Sequence, residues 1–373
     1  MLDNKPERIL HCVIGSMNVG GIETMLMELY RNIDKTKYQF DFVVHDYNKN
    51  AYEDEIISFG GKLYRVPFVS QNPIKHNHEF KKILKEHPEY RIIHIHTTYS
   101  IMYGDAKIAK KMGRIVVIHS HNSNASKKRA MLHAIFKKRF SAIADYRLSC
   151  SNIAAKWMFD EKHLDTVQIW KNAVKIEKFK YDRAIRASVR TEFDAGEDII
   201  IGCVGRLSYQ KNQDLMLRAF AELNKKRKDV QLWLVGDGED RVVLESEVDT
   251  LGLRKKVKFF GNRNDVNELM MGMDCLVLTS RWEGLGIVLI EAQANGLSIV
   301  VPSTVDELTL LLPSATRVCE YENIKEWAEA ISQCKRYTDD ERNNAYKTVA
   351  AAGFDIDTQV QTAEKFYDRI LGE

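Results

Sequence analysis

Ten apolar runs recur along the chain: Ile9–Ile14, Phe40–Val44, Ile92–His96, Ile115–His119, Tyr146–Cys150, Ile199–Val204, Gln231–Val235, Val257–Phe260, Cys275–Thr279 and Ser298–Val301. Most are apolar at successive positions, which predicts parallel strands covered on both faces. Between the runs the apolar spacing becomes helical. Ile22, Met25, Leu26, Leu29, Tyr30 and Ile33 fall at i, i+3, i+4, i+7, i+8 and i+11, on one helix face. Strands and helices alternating in this way predict an α/β fold with parallel sheets.

The series runs twice. Ile9–Ile14 followed by Gly20-Gly21 opens the first, and Ile199–Val204 followed by Gly205-Arg206 opens the second. The intervening Lys171–Asp198 is charged and poor in strand signal, so the domain boundary is expected near Lys175–Lys180. A length of 373 residues suits two domains, at roughly 100–200 residues each. Open α/β sheets take ligands at the carboxyl ends of their strands. Two such sheets facing each other predict a small-molecule site in the cleft.

Apolar residues make up 45% and charged residues 29%, with 20 Gly and 6 Pro, which excludes collagen-like and disordered classes. The formal charge of +3 hides a lopsided distribution. From Ala106 to Ala144 there is no Asp or Glu but there are ten cations: Lys107, Lys110, Lys111, Arg114, Lys127, Lys128, Arg129, Lys137, Lys138 and Arg139. Without them the rest of the chain carries −7, a mildly acidic protein with one basic patch. No nucleic-acid recognition motif accompanies the patch, so nucleic acid is not an expected partner. Cys12, Cys150, Cys203, Cys275, Cys319 and Cys334 contain no C-x-x-C pair and are expected to be reduced thiols. The start shows no signal-peptide pattern, and no run approaches the ~20 apolar residues of a spanning helix. The expected location is cytoplasmic, with peripheral attachment to the inner membrane face.

Several strand ends carry candidate chemistry. Gly15-Ser16-Met17-Asn18-Val19-Gly20-Gly21 follows the first run and opens a helix, where glycines admit a ligand to backbone N–H groups. It lacks the G-x-G-x-x-G dinucleotide pattern, and Gly21-Ile22 stands where a P-loop has Lys-[Ser/Thr]. Arg206 and Lys211 lie on the loop after Ile199–Val204, where a bidentate and a point charge suit a diphosphate. Asn212 is the expected cap of the following helix. Gly236-Asp237-Gly238 is either an ordinary turn or a ligand contact.

Glu283-Gly284-Leu285-Gly286-Ile287-Val288-Leu289-Ile290-Glu291 is the most informative stretch. Its glycines sit at the expected start of a helix, free to expose N–H groups. Eight residues on a helix rise roughly 12 Å, too far for one acid–base pair but suited to two parts of an extended ligand. Carboxylates accept well from sugar hydroxyls. In the first half, His94 and His96 end one strand and His119-Ser120-His121-Asn122 another. A His pair at i, i+2 needs further ligands to hold a metal, and no motif supplies them nearby. Of these, His121 is the expected ligand-contacting residue.

Together Gly20-Gly21, Gly205-Arg206…Lys211 and Glu283-x7-Glu291 resemble a GT-B fold glycosyltransferase of the GT4 group. The strand-end His-Ser-His-Asn is similar to that of its exopolysaccharide and capsule branch. The resemblance implies two Rossmann-like domains, 1–176 for the acceptor and 177–354 for the donor, with a C-terminal helix in 355–373 packing back on the first. It implies retaining, metal-independent transfer of a hexose from a nucleotide-sugar, UDP-sugar favoured, to a saccharide or lipid-linked saccharide in surface polysaccharide synthesis. No cofactor and no metal are implied. Arg206 and Lys211 would neutralise the diphosphate, Glu283 would bind the transferred sugar, Glu291 the ribose, and His121 the sugar or acceptor. Donor contacts would come from Gly20, Gly21, Gly205, Gly236, Gly284, Leu285, Gly286, Ile287 and Glu291. The sequence departs from the family at Leu285, where Phe is usual, and at Ala173, where Gly is common. It also departs at Pro302-Ser303-Thr304-Val305-Asp306-Glu307, where a Gly-Gly-x-x-Glu loop often occurs. That last departure leaves the sugar open.

Lys127, Lys128, Arg129, Lys137, Lys138 and Arg139 lie on an expected helix, clustered around Met131, Leu132, Ile135 and Phe136. A basic amphipathic helix suits an anionic membrane surface beside a lipid-linked acceptor. Alternatives to the enzyme are a non-catalytic nucleotide-sugar-binding subunit of a polysaccharide assembly and a GT-B sugar epimerase.

Overall fold

All ten apolar runs form strands, and three short strands join them. The computed structural model describes residues 5–18 and 20–372. The strands are β1 (Glu7–Val13), β2 (Tyr38–Val44), β3 (Leu63–Arg65), β4 (Ile92–Thr97), β5 (Ile115–Ser120), β6 (Tyr146–Ser149), β7 (Val167–Ile169), β8 (Ile199–Val204), β9 (Val230–Val235), β10 (Val257–Gly261), β11 (Cys275–Val277), β12 (Ser298–Pro302) and β13 (Thr316–Val318). The three that no apolar run announced, β3, β7 and β13, have three residues each and stand at sheet edges. An edge strand has one neighbour instead of two, so Leu-Tyr-Arg or Thr-Arg-Val suffices where an interior strand needs a longer apolar run.

The first sheet runs β3-β2-β1-β4-β5-β6-β7 and the second β10-β9-β8-β11-β12-β13, with parallel pairing in both. Strand order reverses between β1 and β4 in one and between β8 and β11 in the other, as in a Rossmann fold. The chain divides into two compact units. One takes the chain up to Ala173 and resumes at Ile356; the other is Val174–Asp355.

Each sheet is covered on both faces, which is why its strands are apolar at successive positions. In the first unit Met25, Leu26, Leu29 and Tyr30 of the Gly21–Asn32 helix are buried on one face of the sheet, and Phe80, Leu84, Ala106 and Ala109 lie in the core on the other. The Ile356–Gly372 helix belongs to this unit and buries Phe366, Tyr367 and Ile370 there. Tyr38 donates to Asp368, and Arg91 donates to the Leu371 carbonyl at 3.1 Å. In the second unit Leu215, Leu217, Ala219, Phe220 and Leu223 of the Gln213–Lys226 helix join one core, and Leu289 and Ala292 of the Ile287–Ala294 helix the other. Cys12, Cys150, Cys203 and Cys275 are buried, whereas Cys319 is exposed. Among the described residues no helix is long and apolar enough to cross a membrane.

Candidate active site

In the second unit, two loops leave the sheet at its switch point: 205–212 after β8 and 278–286 after β11. They lie far apart in sequence and are laced together. The Arg281 N–H donates to the Gln210 carbonyl at 2.8 Å, and the Gln210 amide donates to the Trp282 carbonyl at 3.0 Å. The Thr279 hydroxyl donates to the Asn212 carbonyl at 3.0 Å. Asn212 holds a left-handed backbone at the head of the Gln213–Lys226 helix, but its side chain does not cap it. Instead its oxygen accepts from Arg281 at 2.9 Å and its amide donates to the Tyr321 hydroxyl at 2.7 Å, which donates onward to the Thr279 carbonyl at 2.6 Å. The expected cap is thus a clamp, because the buried amide finds Arg281 and Tyr321 within reach.

The lacing brings Lys211 to Glu283, 2.7 Å from ammonium to carboxylate and largely shielded from solvent. Arg206, at the other end of the loop, pairs with Glu239 at 2.9 Å, with 72% of its side chain exposed. A guanidinium so exposed can leave a surface pair at little cost, since such pairs contribute ~1 kcal/mol or less.

Glu283 is not on the helix that carries Glu291. The helix begins at Ile287, and Gly286 before it takes a left-handed conformation at φ 77°. A helical rise therefore separates Ile287 from Glu291 only, and Glu283 is placed by the loop. The reason is local: Gly284 and Gly286 are poor helix residues, and Gly286 adopts a conformation that closes the turn. Leu285 is buried and Ile287 and Glu291 are half-buried. In the 302–307 segment, Asp306 accepts from the Leu308 N–H at 3.1 Å and Glu307 pairs with Arg317 at 3.3 Å.

Gly205 and Gly236 serve backbone approach. A Cβ on Gly236 would lie 2.2 Å from the Gly205 carbonyl oxygen. Their N–H groups are engaged, Gly205 with the Val235 carbonyl at 2.9 Å and Gly236 with that of Gly261 at 2.8 Å. Gly20 and Gly21 differ. A Cβ on Gly21 would meet nothing within 4 Å, and one on Gly20 would meet only the Glu23 carboxylate, the movable end of a side chain. Burial pushes that Glu23 carboxyl up to about 7.

In the first unit, strand register puts five buried histidines on one sheet face: His11 of β1, His94 and His96 of β4, and His119 and His121 of or just after β5. His11 Nδ1 lies 2.9 Å from His96 Nε2, and His96 Nδ1 lies 3.0 Å from His121 Nε2. His94 Nδ1 meets the Tyr367 hydroxyl at 2.9 Å. Burial lowers every one of these imidazoles, His11 and His121 to about 3, so all are neutral near pH 7. His121 keeps Nδ1 without a hydrogen-bond partner. The i, i+2 spacing announced two pairs; His11 joins them only through register, and sequence reasoning passed over it. It also passed over Gln210, Arg281 and Tyr321. Arg281 could have been suspected from its place two residues before Glu283, whereas Tyr321 carries no local signal.

The basic helix spans Lys127–Ile143. Lys127, Lys128, Arg129, Lys138 and Arg139 are exposed, and Lys137 donates to the Lys156 carbonyl at 2.7 Å. Met131 and Ile135, one turn apart, are 72% and 66% exposed. Phe136 turns inward and stacks on Tyr103 at 5.6 Å, so the apolar cluster is divided between surface and interior.

Residues 19–178 match the family model described as Glycosyltransferase Family 4, and residues 186–350 that of Glycosyl transferases group 1. EpsF of Bacillus subtilis, whose name designates it a glycosyltransferase, is 31% identical over 98% of this chain and 98% of its own. The Escherichia coli UDP-Gal:alpha-D-GlcNAc-diphosphoundecaprenol alpha-1,3-galactosyltransferase is 30% identical over 59% of each chain. The fold is similar to that of Anabaena Alr3699/HepE, solved in complex with UDP-glucose, with a TM-score of 0.76 at 21% identity over 96% of this chain and 100% of that one. With full-length identity to EpsF and both family models matched in order, the chain belongs to the GT4 group of GT-B glycosyltransferases and is a glycosyltransferase.

Proposed function

We propose that this enzyme transfers a hexose from a UDP-sugar to a saccharide or lipid-linked saccharide in surface polysaccharide biosynthesis, with retention of configuration and without a metal ion. The observation that carries the reading is the Lys211–Glu283 pair, which joins the Arg206 loop to the Glu283–Glu291 segment at one switch point. A diphosphate arriving there would draw Arg206 from Glu239 and Lys211 from Glu283, and the released Glu283 would accept from sugar hydroxyls. Glu291 would take the ribose. Gly284, Leu285, Gly286 and Ile287 would line the donor, and Gly205 and Gly236 would shape the floor through close backbone contact. From the first unit, Gly20 and Gly21 are assigned to the donor's diphosphate or sugar and His121 to the sugar or acceptor; a neutral His121 can hydrogen-bond a hydroxyl through Nδ1.

The bond from the sugar's anomeric carbon to the diphosphate oxygen breaks as the acceptor oxygen attacks the same face. The acceptor proton passes to the departing phosphate, and Arg206 and Lys211 stabilise the charge developing there. No enzyme nucleophile is needed. UDP-galactose in the name of the Escherichia coli relative and UDP-glucose in the HepE structure support a UDP-sugar. The diphosphoundecaprenol in the former supports a lipid-linked acceptor.

The test is transfer from UDP-, GDP-, ADP- and dTDP-sugars by the wild type and by Arg206→Ala and Glu291→Ala. Transfer from a UDP-sugar, with at least ~100-fold loss in both folded variants, is expected. Full activity in both variants refutes the site. Donor binding without transfer would favour a non-catalytic subunit.

A further inference from the structure

Away from the donor loops, His45, His76 and Asp105 meet in the interior of the first unit, none more than 3% exposed. His45 follows β2, His76 lies on the Pro73–Glu86 helix and Asp105 on the Tyr103–Lys111 helix. Each offers one ligand atom, and the three atoms lie within 4.8 Å of one another. His76 Nδ1 lies 2.8 Å from the Pro67 carbonyl, which can only accept, so Nδ1 carries a hydrogen. Its other nitrogen, Nε2, is turned to Asp105 Oδ1 at 2.5 Å. A ligating histidine commonly has this arrangement, one nitrogen tied to a carbonyl and the other aimed at the ion. His45 is buried with both ring nitrogens unpartnered. One of them must carry a hydrogen, so the protein alone leaves a buried donor unmade, an unfavourable arrangement.

We propose that His45, His76 and Asp105 form a binding site for one divalent first-row transition ion, a structural staple of the first unit distinct from the transfer chemistry. Two imidazoles and one carboxylate are a zinc-type donor set, and a water can complete four-coordination. The ion replaces the proton shared by His76 Nε2 and Asp105 Oδ1 and takes a lone pair from His45. Tetrahedral ligands about 2.0–2.2 Å from zinc stand roughly 3.3 Å apart. His76 Nε2 and Asp105 Oδ1, 2.5 Å apart while they share the proton, therefore part on binding, and the His45 ring, held by no hydrogen bond of its own, is the part free to swing in. The five-histidine face offers more nitrogens, yet among the described residues its ligand groups include no carboxylate to offset a buried dication, and its rings bond and stack on one another. The staple would join β2 to two helices directly under the glycine segment, since the His45 N–H donates to the Gly15 carbonyl at 2.6 Å.

The experiment uses full-length protein carrying Cys319→Ser, which removes the exposed thiol, stripped with a chelator and then titrated with zinc chloride. Calorimetry should give one equivalent bound, and saturating zinc at ~100 times Kd should raise Tm by roughly 5 °C or more. His45→Phe keeps an apolar ring in the site and removes a ligand. It should leave the metal-free Tm unchanged or higher while affinity falls at least ~100-fold. Cobalt(II) in the wild-type site should show a nitrogen–oxygen ligand-field spectrum that the variant lacks. A wild type with no zinc-dependent rise in Tm, or a His45→Phe protein with an undiminished one, overturns the site.

Discussion

Glycine is where residue-scale arguments separate function from packing most sharply. Gly236 is required by the protein itself, because a Cβ there would collide with the Gly205 carbonyl. Gly21 is required by nothing in the protein, since the space where its Cβ would point is open, and it stands at the first turn of a helix where alanine is the better residue. The proposed donor contact gives the open position a use, since a ligand reaching the backbone there would meet a side chain. We expect Gly21→Ala to hold or raise Tm in a thermal melt while transfer falls at least ~10-fold. A normal rate in the variant would return Gly21 to the status of an ordinary helix start. Both glycines were visible in the sequence as strand-end motifs. Which of them answers to the backbone was not, because the answer depends on which atoms lie opposite, and those belong to other loops.

At the scale of elements, the basic helix makes a prediction of its own. Cations on an exposed helix normally interact with water, but here Lys127, Lys128, Arg129, Lys138 and Arg139 flank two apolar side chains, Met131 and Ile135, that face solvent. Apolar side chains ringed by positive charge suit an anionic lipid surface, each nearby cation adding ~1 kcal/mol. Replacing Lys127, Lys128, Arg129, Lys137, Lys138 and Arg139 with glutamine should abolish co-sedimentation with phosphatidylglycerol vesicles. Wild-type binding should weaken as salt rises; unchanged binding in the variant would end the membrane reading. The helix was readable from its sequence as basic, but its division into an outward Met131–Ile135 pair and an inward Phe136 was not. That division depends on where Tyr103 stands. The same limit applies to Glu283, whose eight-residue spacing to Glu291 suggested one helix until Gly286 proved to be its left-handed start.

Over the whole molecule, the five histidines on one sheet face predict how stability responds to pH. Burial holds His11 and His121 down at about 3 and His94, His96 and His119 well below their usual value. The unfolded chain protonates histidine near 6.5. Between that value and the folded ones the unfolded state binds more protons, so stability falls as pH drops below about 6.5. Each such group contributes up to ~1.4 kcal/mol per pH unit. His76 opposes them: burial works against its charge, but Asp105, the Pro67 carbonyl and Glu79 together raise it. Urea unfolding at pH 7.5, 6.5 and 5.5 should show a steep loss in the acid range, and His119→Phe should flatten it. Equal slopes in the two proteins would contradict the neutral cluster. The positions of the ten longer-run strands, the double series and the loops at their ends were determined by the sequence alone, because burial on both faces writes itself into successive residues; the short edge strands β3, β7 and β13 were not. The meeting of Lys211 with Glu283 and the assembly of His11 with four distant histidines were decided only by tertiary structure. They depend on strand order and register between segments tens of residues apart, which no local pattern of polarity encodes.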